Sequence, residues 1–213
     1  MSERLSFVHR FEPGEPPAHD PLLLLHGTGG NEDDLLPLGR AIALSAPLLS
    51  PRGKVLENGM PRFFRRVAQG VFDEDDVRQR ANDLADFVEA ACKTYEIATP
   101  IAVGYSNGAN VAAAILLLRP ATLAGAVLLR ATSPFAHPPR VELAGKPVLL
   151  LSGAHDPLMS AEGAARLALA LQQGGAIVTH RTLPVGHELS QADINLAREW
   201  LKERATANDL ANG

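Results

Sequence analysis

Ile101-Ala-Val-Gly-Tyr-Ser-Asn-Gly-Ala-Asn110 is the stretch that decides how this chain folds. It opens on a continuously apolar run, Ile101 to Val103, as in a strand covered on both faces. Gly104-Tyr105-Ser106-Asn107-Gly108 then makes a tight turn, and the Ala-, Val- and Leu-rich run to Leu118 continues as a helix. The same alternation extends outward on both sides. Leu22 to Leu25, Ala126 to Leu129 and Val148 to Leu151 are further buried-strand runs. Pro47 to Ser50 and Ala176 to Thr179 are weaker ones, and Leu5 to Phe11 reads as an edge strand. From Asp75 to Tyr95, the residues Val77, Ala81, Leu84, Val88, Ala91 and Tyr95 recur at helical spacing and mark one face of a helix. Asn31 is placed to cap a helix running towards Leu44, and Ser160 to cap one that Gly174-Gly175 would stop. Ser190 with Asp193 resembles a capping box before a last helix towards Arg204. Strand and helix in alternation predict an α/β protein of three layers, with a mostly parallel central sheet and helices on both faces. Residues 1-204 are expected to form one domain, and 205-213, small and polar, a frayed tail.

Composition narrows the function classes. The 213 residues are 46% hydrophobic and 21% charged, a globular balance that argues against disorder, collagen and coiled coil. A chain of this length can bury roughly 70% of its unfolded surface around one core. With 20 Lys and Arg against 24 Asp and Glu, the formal charge of −4 offers no general attraction for nucleic acid or for an anionic membrane. The apolar runs are far short of the roughly 20 residues that a membrane span needs. Cys92 is the sole cysteine, so no intrachain disulfide can form. Met1-Ser2-Glu3-Arg4-Leu5 lacks the basic-then-apolar pattern of a secretion signal. A cytoplasmic location is the expectation.

The turn after Val103 carries the chemistry. A serine between two glycines, with a buried strand before it and a helix after it, has the context of a nucleophile elbow. The competing reading makes Ser106 a helix cap. A hydroxyl needs a base, and the base an orienting acid; in this architecture they follow in the order Ser, acid, His. His187, in Val185-Gly-His-Glu-Leu189, lies between the last strand and the last helix, where it could reach back over the sheet, and it leads His137, His155 and His180. Asp156 stands just beyond the Val148 strand, in Ser152-Gly-Ala-His-Asp-Pro157. The alternative there is a plain Asp-Pro turn. Leu22-Leu-Leu-Leu-His-Gly-Thr-Gly-Gly30 ends in a Gly-rich turn, whose Thr28 N–H could pair with that of Asn107 to hold the oxygen of a tetrahedral intermediate. It lacks the Lys-Ser/Thr of a phosphate loop. His26 reads as a buried structural histidine.

These motifs resemble the α/β-hydrolase fold, and within it the small phospholipase/carboxylesterase family of serine esterases, from about Leu22 to Trp200. Ser50-Pro-Arg-Gly-Lys-Val-Leu-Glu-Asn-Gly-Met-Pro-Arg-Phe-Phe-Arg-Arg66 is similar to the signature of the MhqD-like bacterial subgroup, with Ser-Pro in the first positions. The resemblance implies a triad of Ser106, Asp156 and His187, oxyanion donors at Thr28 and Asn107, short-chain or aryl ester substrates, and no metal or organic cofactor. Several members are dimers, which leaves a homodimer open here. Met60, Phe63 and Phe64 could line an acyl or aromatic pocket, as could Leu158 and Leu189 beside the triad. Arg62, Arg65 and Arg66 could meet a carboxylate, or simply pair with Asp73 to Asp76 on a solvated face. No inserted helices are evident between Leu129 and Val148, so an open cleft without a large lid is expected. The expected partner is a small-molecule ester. A thioesterase or lactonase would use the same machinery, and a non-catalytic binding protein would not need it. A cysteine nucleophile is disfavoured, because Cys92 falls in a helix.

Overall fold

The structure, a computed structural model, describes residues 5–16, 20–68 and 70–212. Residues 1–4 of the expected domain, 17–19, 69 and 213 lie outside that description. In chain order the elements are β1 (His9–Glu12), β2 (Leu22–Leu25), α1 (Leu36–Ile42), β3 (Leu48–Pro51), β4 (Val55–Glu57), β5 (Met60–Arg62), β6 (Arg66–Ala68), β7 (Val71–Phe72), α2 (Glu74–Tyr95), β8 (Ile101–Tyr105), α3 (Asn107–Leu118), β9 (Gly125–Leu129), β10 (Pro147–Gly153), α4 (Ala161–Gln173), β11 (Ile177–Leu183) and α5 (Gln191–Asn212). A 3₁₀ turn, Pro120–Thr122, follows α3.

Seven strands form one sheet in the order β1-β3-β2-β8-β9-β10-β11. Only β1 is antiparallel, pairing His9 with Pro51 at the edge. The apolar runs explain why both faces are covered. In β2, Leu23 and Leu25 enter the core shared with α2, α3 and α4, while Leu22 and Leu24 enter the one shared with α1 and α5. The same period of two assigns Ala126 and Leu128 of β9 to the first core, and Val127 and Leu129 to the second. The chain winds from β2 outward to β3 and later to β8 on the other side, so the order reverses between β2 and β8. Open parallel sheets leave a crevice outside the carboxyl ends at such a reversal.

Several boundaries differ from the sequence expectation. The helix expected from Asn31 begins at Leu36, with Pro37 in its first turn. Asn31 instead accepts a hydrogen bond from the Asp33 N–H at 2.7 Å and closes a local turn. The last helix continues past Arg204 to Asn212 where a frayed tail was expected, since no Gly or Pro interrupts it before Gly213. Residues 130–146 form no helix or strand among the described residues. The stretch from 52 to 72 holds two hairpin-like pairs, β4 with β5 and β6 with β7. Among the described residues no helix is long and apolar enough to cross a membrane.

Candidate active site

Ser106 ends the turn from β8 into α3 in a left-handed backbone, with φ of 53° and ψ of −114°. That conformation is costly for a residue with a Cβ and persists only where its surroundings impose it. Here they are tight. A methyl on Gly104 would stand 2.6 Å from the Ala109 Cα, and one on Gly108 2.0 Å from the Leu25 carbonyl oxygen. The Ser106 N–H is tied to the Leu129 carbonyl at 2.9 Å. Its hydroxyl makes no capping bond to α3.

The hydroxyl meets His187 instead. Ser106 Oγ lies 3.0 Å from His187 Nε2, and His187 Nδ1 lies 2.8 Å from Asp156 Oδ2. A carboxylate only accepts, so Nδ1 carries the proton and Nε2 is left to accept one from serine. Asp156 is fixed in turn: its Oδ1 accepts from the N–H groups of Leu158 at 2.8 Å and Met159 at 3.0 Å. The three side chains come from the ends of β8, β10 and β11, so the parallel sheet brings residues 81 and 31 positions apart in the chain into one line. The other histidines weighed above stand elsewhere. His26 is buried, its Nδ1–H directed at the Gly27 carbonyl and its Nε2 accepting from the Gly53 N–H. His180 pairs with Ser152, and His137 and His155 are exposed.

The Gly-rich loop after β2 completes the setting. The N–H of Gly29 is taken by Pro61 O and that of Gly30 by Gly27 O. Among the described residues no partner takes the N–H of Thr28, nor that of Asn107 in the first turn of α3. Thr28, Asn107, Ser106 and His187 all line a cleft of about 320 Å³, with Arg62, Arg66, Tyr105 and Leu158 among the other walls. A larger groove of about 730 Å³ runs between α1 and α5, but it is lined by Leu22 and Ile101, the amino ends of their strands, and so opens at the other end of the sheet.

This geometry agrees with what the chain is similar to. No protein-family model matches it. MhqD of Bacillus subtilis (strain 168), whose name describes it as a hydrolase, is 46% identical over 197 residues, covering 92% of this chain and 98% of MhqD. The crystal structure of a Bacillus cereus carboxylesterase superposes with a TM-score of 0.89 at 42% identity, over 93% of this chain and 94% of that one. A carboxylesterase from Mesorhizobium loti gives 0.88 at 32% identity, over 94% of this chain and 96% of that one. The chain belongs to the carboxylesterase-like, MhqD-like family of α/β-hydrolases. It is an enzyme of the esterase class.

The pocket of this esterase is drawn differently from the sequence expectation. Leu158 is in the cleft wall, but Phe63 and Phe64 are core residues, 3% and 0% exposed. Phe63 packs on His26, and Phe64 sits edge-on against Phe72. Leu189 packs against the α1 and α5 core. Met60 is half-exposed over Gly29, outside the cleft wall. The three arginines divide. Arg65 pairs with Asp73 at 3.0 Å on the exposed side, while Arg62 and Arg66 reach the cleft.

Sequence reading missed the support behind the histidine. Arg130 follows β9 with a φ of 56° and is fully buried. It forms a two-pronged pair with Asp193, both contacts at 2.8 Å. Its Nε donates to the Gly186 carbonyl and its Nη2 to the Glu188 carbonyl, each at 3.0 Å, so it grips the backbone on both sides of His187. Burial disfavours the Asp193 charge, but Arg130 and Ser190 outweigh it and hold the carboxyl below its usual range. The Tyr105 hydroxyl adds a third hold, donating to the His187 carbonyl at 3.1 Å.

Proposed function

We propose that this enzyme is a serine carboxylesterase that cleaves small carboxylic esters through an acyl-enzyme. Ser106 Oγ attacks the ester carbonyl carbon as its proton passes to His187 Nε2. Asp156 keeps the imidazole in the required tautomer and stabilises the imidazolium that forms. The carbonyl oxygen becomes an oxyanion held by the Thr28 and Asn107 N–H groups, at the positive end of α3. Collapse breaks the ester C–O bond, and His187 returns the proton to the departing alkoxide or phenoxide. Water then attacks the acyl-enzyme with His187 again as base, which frees the acid and restores Ser106. The carrying observation is the unbroken chain of hydrogen bonds from Ser106 through His187 to Asp156, ending on two backbone donors.

Supporting a small substrate are the cleft's modest size and the lack of secondary structure, among the described residues, where an inserted lid would lie. The test is p-nitrophenyl acetate hydrolysis with fluorophosphonate labelling. Wild type is expected to turn over the ester and take one label at Ser106. Labelling elsewhere, or undiminished hydrolysis by Ser106→Ala, overturns the reading.

A further inference from the structure

One part of the cleft wall is crowded with hydrogen-bond donors and short of acceptors. Arg62 closes β5 with its side chain only 3% exposed; its Nη1 donates to Glu57 at 3.0 Å and its Nε to the Phe64 carbonyl at 3.2 Å. Arg66 opens β6 and donates to the other oxygen of the same Glu57 at 2.9 Å. Burial works against the Glu57 charge, but the two guanidiniums outweigh it and keep the carboxyl below its usual range. Two arginines therefore share one carboxylate, and this wall of an otherwise acidic protein carries a net positive charge.

Two amides add to it. Asn107 Oδ1 accepts from the Phe63 N–H at 2.7 Å, and Asn110 Oδ1 from the Thr132 N–H at 2.9 Å. These bonds fix which way each amide points, because the opposite flip would set donor against donor. Both Nδ2 atoms are then buried and have no hydrogen-bond partner among the described residues. Buried donors left unpaired are uncommon and call for a cause. All four residues line the cleft that holds Ser106 and His187. An anionic group bound in the cleft would balance the surplus guanidinium charge.

We propose that this cleft selects esters that bear a free carboxylate, the half-esters of small dicarboxylic acids, with Arg62 and Arg66 as specificity-determining residues. The charge of the substrate is set against Arg62 and Arg66, which have one carboxylate, Glu57, between them. The inference rests on the serine-esterase reading of the same site.

Monomethyl succinate and its neutral isostere methyl 4-methylpentanoate, followed by acid release at constant pH, test it. The half-ester should show kcat/KM about tenfold or more above the isostere, the size of one charge-assisted hydrogen bond. That preference should shrink in high salt, and Arg66→Gln should lower it several-fold, while Arg62→Lys, which keeps the charge, should retain part of it. Equal or faster turnover of the isostere overturns the proposal and leaves the esterase reading standing, as does a preference unmoved in Arg66→Gln. Succinate binding gives a readout that needs no turnover. Succinate should raise the melting temperature of wild type above an ionic-strength control, and raise that of Arg66→Gln less. If neither ester is hydrolysed while p-nitrophenyl acetate is, the half-ester proposal falls and the esterase reading stands. If p-nitrophenyl acetate is not hydrolysed either, the esterase reading falls, and the absence of a succinate shift then overturns the carboxylate site by itself.

Discussion

The turn from β8 into α3 and the arm from residue 52 to 72 both wall the cleft beside Ser106, yet they are held in place differently. The turn is fixed by its immediate neighbours. At Gly108 there is no space for a methyl, and Ser106 is kept at positive φ by a strand, a helix and one bond to Leu129. The arm is fixed at a distance. Its anchors are contacts with distant parts of the chain: Phe63 and Phe64 buried in the core, and polar bonds that include Gly53 N–H to His26, Phe63 N–H to Asn107, Pro61 carbonyl to Gly29 and the ion pair between Arg52 and Glu32. At Gly59, in the tip of its β4–β5 hairpin, an added Cβ would meet nothing within 4 Å. The difference teaches that the reacting groups sit on geometry dictated by local sequence, whereas the pocket depends on long-range contacts that could be redrawn without disturbing the chemistry.

The largest expected effect cuts that comparison at the turn. Ser106→Ala should lower kcat for an activated ester by about 10⁴-fold or more, with the fold intact by circular dichroism. His187→Ala should match it, and Asp156→Asn should leave more activity, because the members of a triad contribute unequally. If an arm substitution such as Arg66→Gln cost as much with a neutral ester, the division between chemistry and pocket would be wrong.

Next in size is the support behind His187. Arg130→Met leaves Asp193 buried without its partner, and should cost about 3–5 kcal/mol in denaturant unfolding. Pairing it with Asp193→Leu should recover much of that stability, since replacing both charges removes the unmatched one. Activity should not recover with it, because the Gly186 and Glu188 carbonyls would still lack their donors. Recovery of both would mean that Arg130 only stabilises. The pH dependence carries a sign. The Asp193 carboxyl is held below its usual value in the folded state, so the pair stabilises at neutral pH, and that stability is lost as pH falls below about 4. The gap between wild type and Arg130→Met should therefore narrow in acid.

How much of this could be read from the sequence follows the same division. The four leucines of β2 and the flanks of Ser106 speak through their neighbours, and the sheet and the turn were both legible. Ser106 could be named from its glycine-flanked turn, and Asp156 and His187 from their places after later strands in the order Ser, acid, His; the structure sets them within hydrogen-bond reach. Arg130 was silent, because its partners are Gly186, Glu188 and Asp193, more than fifty positions along the chain. Phe63 and Phe64 misled for a related reason: two adjacent aromatics announce burial but not in which cavity or core. The β4–β5 hairpin did have a local signal, overlooked. Asn58-Gly59 is the residue pair favoured in a two-residue hairpin turn, and both have positive φ, 52° and 81°.

A smaller effect joins the two regions through His26. Burial pushes its imidazole below the usual range, and its neutral Nε2 is what accepts the Gly53 N–H at the base of the arm. Stability from a histidine whose folded value is lowered is present above about pH 6.5 and declines as pH falls from there. His180, also lowered by burial, acts in the same direction, so the measurement is the difference from His26→Gln. That variant should be about 1 kcal/mol less stable at pH 8, with the gap closing towards pH 5. A gap that stays constant across this range would detach His26 from the arm's anchorage.

The smallest expected effect isolates the arm. Gly59→Ala forces a Cβ onto a backbone with φ of 81°, where no atom lies near enough to clash, so only conformational strain remains. That strain is about 1–2 kcal/mol for an L-residue in the left-handed region. The cost should appear in the melting temperature, while turnover of a neutral ester stays within about twofold, since the tip is separated from Ser106 by the anchors at Pro61 and Phe63. A much larger loss of kcat would show that strain at the tip travels through the Pro61–Gly29 bond into the Gly-rich loop. The arm would then be part of the oxyanion geometry, and the two regions would have to be treated as one.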